Sequence, residues 1–236
     1  MLTEIPRTVL VVAAHPDDAE FGCGGTIANW IAAGSKAYYL IATNGDKGDD
    51  TGNYSPEELA KVRQAEQKLA ADKLGISDMT MLSRSDGSLE YNVNLRGDVV
   101  RWIRTWKPDA VFTHDPTVLF FSRGGVNHAD HRAIGQATVD AVYPFARGLH
   151  QYPEQIAAGL EPHKVRYLLL WDSNTPNFTV NVSDTAEKKL EALLTHASQF
   201  PQTDSMRNYT LEHMKSMAEG TTMIYAESFF VTEFGA

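Results

Sequence analysis

Three of the four residues in His15-Pro16-Asp17-Asp18 can ligate a metal or move a proton. Pro16 restricts its own backbone and that of His15 away from helical geometry, which makes a stiff turn able to aim side chains. Polar capping turns of this kind also occur without chemistry, and spacing alone leaves the two readings level. A second cluster, Asn127-His128-Ala129-Asp130-His131, shifts the balance. His128 and His131 are three apart, so they fall on neighbouring faces of a helix beginning there, and with His15 and Asp18 they offer a compact donor set. Two histidines and a carboxylate with an open water position make a catalytic zinc set. The same ligand types suit a non-haem ferrous oxygenase, so iron stays open.

Both clusters must sit after strands to face one another. Thr8 to Ala14 is a continuous apolar and β-branched run, which suits a parallel strand covered on both faces, and His15 follows it directly. Gly22, Gly24 and Gly25 come next, then a helix over Thr26 to Ala33. Ala37 to Thr43 reads as a second buried strand, followed by a polar loop over Asn44 to Tyr54. Ser55 is placed to cap a helix ending near Leu74, with Pro56 at its first position and Glu57 and Glu58 near the positive end of its dipole. Asn94 to Trp106 and His131 to Val142 read as helices, Asp109 to Thr113 as a short strand. The βαβα rhythm predicts a doubly wound, mostly parallel sheet with helices on both faces. In such sheets ligands gather outside the carboxyl ends of the strands, where both clusters lie. Beyond Pro144 the pattern loosens, with a strand over Val165 to Trp171 and a helix over Asp184 to Ser198 capped by Asp184. One domain over residues 1–236 with an elaborated C-terminal part is expected.

The formal charge of −9, without a dense Lys/Arg cluster, argues against a nucleic-acid partner. No run approaches the length of a membrane span, and Met1 to Arg7 shows no leader pattern, so a cytoplasmic location is expected. Cys23 is the only cysteine, which excludes internal disulfides and cysteine-rich zinc sites and leaves His and carboxylates as the metal donors.

Other polar groups have plainer readings. Gly22-Cys23-Gly24-Gly25 lacks the spacing of a dinucleotide fingerprint, and its glycines suit a tight turn and close approach of helix to sheet. Cys23 reads as a packed residue. His114, at the end of a strand, is either beside the metal ligands or a loop-shaping residue. His150, His163 and His213 have no partnering motif. Trp102 and Trp106, four apart on a helix, suit core or interface packing, and self-association stays open. Asp46, Asp49 and Asp50 lack the calcium-loop pattern, so their loop is either a solvated segment or a lid.

Taken together, His15-Pro16-Asp17-Asp18 with Glu20, Gly22, Gly24 and Gly25, and His128-Ala129-Asp130-His131 downstream, resemble the PIG-L or LmbE-like N-deacetylases. Asn44-Gly45, Arg63, Glu66, Leu74-Gly75 and Asp86-Gly87 extend the likeness, with weaker matches at His196 to Gln199 and Glu227 to Phe229. The resemblance implies a Rossmann-like fold and one zinc ion per chain, or another divalent metal, held by His15, Asp18 and His131. It implies Asp17 as general base, His128 as an imidazolium stabilising the oxyanion and protonating the amine, and Asp130 orienting His128. Arg63 and Asp86 match contacts to sugar hydroxyls. An imidazolium His128 gives a bell-shaped pH profile. The implied substrate is an N-acetylglucosamine-type small molecule; the runners-up are an amidase of a related amino-sugar conjugate, a ferrous oxygenase and a non-catalytic zinc-dependent binding module. Glu20 is displaced by Ala19 from the paired aspartates, and its role is open.

Overall fold

The computed structural model describes every residue except Met1, Thr3, Asp50, Pro201, Gln202 and Ala236. Asp50 of the acidic loop therefore lies outside the described residues. The first half runs β1 (Thr8–Ala13), α1 (Asp18–Ala32), β2 (Lys36–Thr43), α2 (Pro56–Leu74), β3 (Asp78–Arg84), α3 (Val93–Trp106), β4 (Ala110–His114) and α4 (Ala129–Asp140). After a π-helical turn over Ala141–Phe145 come α5 (Pro153–Ala157), β5 (Tyr167–Trp171), β6 (Phe178–Asn181), α6 (Ala186–Leu193), α7 (Thr203–Met217) and β7 (Ala226–Glu233).

The strands form a seven-stranded sheet in the order β3-β2-β1-β4-β5-β7-β6. β1 to β5 pair in parallel, and β7 runs antiparallel between β5 and β6. This is the doubly wound, mostly parallel architecture expected from the rhythm of the chain. Alternation explains the unbroken apolar run of β1: Val9, Val11 and Ala13 pack under α1 and α2, while Leu10 and Val12 pack under α3 and α4. The chain moves outward from β1 to β3 and returns to pair β4 on the other side of β1. The strand order reverses there, and the loops after β1 and β4 open onto the same crevice.

α2 begins with a capping box, in which Ser55 accepts from the Glu58 amide and the Glu58 side chain accepts from the Ser55 amide. α1 departs from expectation by starting at Asp18, so Gly22, Gly24 and Gly25 are helical rather than part of a turn. Glycine costs about 1 kcal/mol within a helix, and at Gly22 contact with the sheet demands it. A Cβ there would lie 2.7 Å from the Trp171 ring. α4 begins at Ala129, which leaves His128 as its cap and puts His131 in its first turn. α6 is shorter than expected and begins after Thr185, so Asp184 does not cap it.

β3, the short β6, and β7 carry weaker apolar alternation, and α5 and the polar α7 have little sequence signature; none was expected. Among the described residues no helix is long and apolar enough to cross a membrane.

Candidate metal centre and active site

The turn after β1 and the first turn of α4 bring His15, Asp18 and His131 together. His15 Nδ1 lies 3.2 Å from His131 Nε2 and 3.2 Å from an Asp18 carboxylate oxygen, and His131 Nε2 lies 3.2 Å from the other Asp18 oxygen. A tetrahedral ion with bonds of about 2.0–2.1 Å places its ligand atoms roughly 3.3–3.4 Å apart, so these donors fit a small divalent cation. His128 also offers a nitrogen within 4.8 Å of His15 and His131.

The far side of His15 is closed by carboxylates. Its Nε2 lies 3.0 Å from Asp86 Oδ1 and 3.2 Å from Asp130 Oδ2, the arrangement that orients a metal-ligating histidine. Against the cost of burial, Asp18, Asp130 and Asp86 push the His15 imidazole up to about 12. Positive charge is therefore favoured at this place. Asp130 itself is fully buried and accepts from the amides of Gly87 (2.7 Å) and Leu89 (3.0 Å), which pins the loop after β3 to the centre.

Asp17 caps α1 with φ 103°, a left-handed conformation that costs a non-glycine residue of order 1–3 kcal/mol. Two residues one turn apart on α2 hold it there. The Asp17 amide donates to Gln67 Oε1 at 3.0 Å, and Arg63 Nη2 donates to Asp17 Oδ2 at 3.1 Å. The same guanidinium donates to the Pro16 carbonyl (2.6 Å) and the Gly45 carbonyl (3.2 Å). A Cβ on Gly45 would lie 2.6 Å from Arg63, which is why Asn44-Gly45 precedes this loop. Burial raises the Asp17 carboxyl to about 6 despite the opposing charge of Arg63. A carboxylate of that basicity suits proton transfer near neutral pH.

Asp130, Arg63 and Asp86 each have protein partners of their own. Asp130 does not pair with the ring of His128; its carboxylate is spent on His15 and on the two loop amides, because the α4 start points it at β1. Instead the Asp130 amide donates to His128 Nδ1 at 3.2 Å, which leaves the proton on Nε2. Burial, followed by the charges of His15 and His131, lowers the His128 imidazole. Arg63 is 3% exposed and donates to the Pro16 and Gly45 carbonyls and to Asp17, and Asp86 Oδ1 lies 3.0 Å from His15 Nε2.

Glu20 turns away from the centre and accepts from Gln67 Nε2 at 3.0 Å and faces His196 Nε2 at 3.3 Å. The loop after β2 is anchored at its start, where the Asp46 carboxylate accepts from the Asp86 amide and Lys47 donates to the Asp86 carbonyl. Asp49 is used within its own turn by Thr51 and Tyr54. His163 meets the Pro108 carbonyl and His213 meets Arg123, both away from the metal donors. The Trp102 and Trp106 rings meet at a tilt of 31°, and Trp106 stacks on Tyr38. The sequence reading missed Gln67, Trp171 and Asp172. Gln67 was signalled by its i+4 relation to Arg63, and Asp172 by its place after a buried strand, where it lines a cavity of about 380 Å³ with Arg123 and Asn174.

The sequence profile of the family described as PIG-L, GlcNAc-PI de-N-acetylase, matches residues 10–142. The chain belongs to the PIG-L family. Diacetylchitobiose deacetylase of Thermococcus kodakarensis is 36% identical over 197 residues, spanning 83% of this chain and 71% of that protein. A probable N-acetyl-alpha-D-glucosaminyl L-malate deacetylase 2 of Bacillus cereus is 30% identical over 220 residues, spanning 91% and 92% of the two chains. The solved N,N'-diacetylchitobiose deacetylase of Pyrococcus horikoshii, bound to its inhibitor MPG, superposes with a TM-score of 0.89 at 29% identity, covering 97% of this chain and 84% of that one. The PIG-L match contains His15, Asp17, Asp18, Arg63, Asp86, His114, His128, Asp130 and His131, whereas Trp171, Asp172, Lys189, His196 and Glu227 lie beyond it.

Proposed function

We propose that this PIG-L protein hydrolyses the N-acetyl amide of an N-acetylglucosamine-type substrate, releasing acetate and a free amine. The observation that carries the reading is the convergence of His15 Nδ1 and His131 Nε2, 3.2 Å apart, each 3.2 Å from a different oxygen of Asp18, beside a carboxylate raised to about 6. The three residues would hold one zinc ion per chain. Such an ion, when bound, makes water acidic near neutral pH and polarises an amide carbonyl.

The protein residues supply the rest. Asp17, steadied by Arg63 and Gln67, takes the proton of the attacking water. His128 donates from Nε2 to the oxygen that becomes negative at the acyl carbon, as a neutral imidazole held in one tautomer by the Asp130 amide. The proton gathered by Asp17 then leaves with the amine. Asp130 and Asp86 orient His15 through its Nε2 rather than acting on substrate. We place the group joined to the amino sugar in the cavity beside Arg123 and Asp172. The lone buried thiol of Cys23 suits a reducing, cytoplasmic setting.

Incubation of the zinc-loaded protein with N,N'-diacetylchitobiose and other N-acetylglucosamine derivatives tests this. New primary amine should appear with an equal amount of acetate, and a chelator should stop both. Zinc-loaded protein that releases neither from any of them would sink the proposal.

A further inference from the structure

His114 sits at the end of β4, 1% exposed, with polar atoms on both of its nitrogens. Trp171 Nε1 is 3.1 Å from Nδ1; the Ala14 amide is 3.3 Å and an Asp18 oxygen, Oδ2, is 3.4 Å from Nε2. An indole N–H can only donate, and a carboxylate can only accept. An imidazolium would set its Nδ1–H against the indole N–H. A neutral ring protonated on Nδ1 would repeat that clash and turn a lone pair towards the Asp18 carboxylate. With the proton on Nε2, the indole finds its acceptor and Asp18 gains a donor, while the Ala14 N–H, 3.3 Å away, loses its acceptor and faces the Nε2 proton. Two favourable contacts, one of them to a charged group, outweigh one.

We infer that Trp171 locks His114 as the Nε2–H tautomer and that His114 is thereby the positioning residue for Asp18. Two donors converge on Asp18 Oδ2, the His114 ring at 3.4 Å and the His15 amide at 2.7 Å, while Oδ1 faces His131. Asp18 is thus held through Oδ2, which also lies 3.2 Å from His15 Nδ1, with Oδ1 turned to His131. The His114 ring also stacks on His131, with centroids 4.0 Å apart and planes 23° apart, so one side chain limits the freedom of two ligands. The chain of support begins in α1, where only Gly22 leaves room for the indole. This inference rests on the assignment of Asp18 and His131 as metal donors, and not on which amide is cleaved.

Nitrogen-15 spectra of histidine-labelled wild-type protein, with the His114 signals assigned by their loss in His114→Gln, read the tautomer directly. They should show Nε2 protonated and Nδ1 bare. Zinc affinity, read by competition with a chromophoric chelator, should fall about 10- to 100-fold in His114→Ala, the usual effect of removing a partner behind a metal ligand. His114→Gln, whose amide N–H can reach Asp18, should recover part of that loss. Trp171→Phe keeps the ring packing without the N–H, and should both weaken zinc and admit the second tautomer. A wild-type Nδ1–H tautomer overturns the inference even if the variants fail to fold. So does zinc binding that is indifferent to His114, which leaves the hydrolase reading intact. A wild-type chain that takes up no zinc overturns the ligand assignment and this inference together.

Discussion

Two buried polar clusters lie on either side of the first turns of α1, and they differ in how their charges are met. Around His15, ligand atoms converge: the nitrogens of His15 and His131 face each other at 3.2 Å, and each lies 3.2 Å from an Asp18 oxygen. On the inner side, Lys189 Nζ donates to Glu227 and to the Phe21 carbonyl, both at 2.6 Å, and Glu227 also accepts from the amides of Gly25 and Thr26. Glu20 is met by Gln67 and His196, with His196 Nδ1 the ring atom left unpartnered. Both clusters are rich in His and carboxylate, so composition cannot tell them apart. Satisfaction can: a cluster whose charges are paired by protein fastens helices to the sheet, and one whose lone pairs converge is prepared for an ion.

Substitutions on the two sides should therefore separate chemistry from stability. Asp17→Asn should lower kcat by about 10²- to 10⁴-fold, the usual contribution of a general base, while zinc content by elemental analysis stays at the wild-type level. A variant that keeps its rate removes Asp17 from the proton path. Lys189→Met strands the Glu227 carboxylate in the interior and should cost about 3–5 kcal/mol in urea denaturation, with the turnover of the folded fraction unchanged. If that variant lost rate but not stability, the inner cluster would belong to the active site and the comparison would fail.

Arg63→Lys is a smaller perturbation at the seam between the clusters. Lysine cannot hold Pro16, Gly45 and Asp17 together as the planar guanidinium does, so kcat should fall roughly tenfold, the equivalent of one charge-assisted hydrogen bond. KM should barely change. A rise in KM confined to sugar substrates, without loss of kcat, would restore the direct sugar contact expected of Arg63.

The mildest test is pH. Asp17 must be deprotonated to accept a proton, and its carboxyl is raised to about 6 by burial, so kcat/KM should rise with pH up to that value. A bound divalent cation favours the carboxylate and draws the limb lower. Burial lowers the His128 imidazole, and with His128 acting as a neutral donor the profile should level off rather than turn down as a bell. A basic limb that disappears in His128→Ala would reinstate the imidazolium. The same shift has a stability sign: a raised carboxyl stabilises the folded metal-free chain at low pH, and that contribution is lost as pH rises through about 6.

Local chemistry was legible in the chain wherever a single segment carried it. The capping box at Ser55, the covered strand β1 and the two polar clusters after strands could all be read directly, because capping, alternation and loop composition are short-range properties. β6, β7 and α7 were not legible, since their place comes from pairing and packing with residues far away in the chain.

The sequence by itself determined which atoms are available to a metal and that strands precede them. Only the tertiary structure decided the partners of those atoms. Asp130 meets His15 instead of His128, Arg63 is spent on the Asp17 turn, Glu20 faces inward, and Trp171 chooses the tautomer of His114. Hydrogen bonds act over about 3 Å and depend on direction, and no spacing along a chain encodes where a side chain some fifty or a hundred residues away will point.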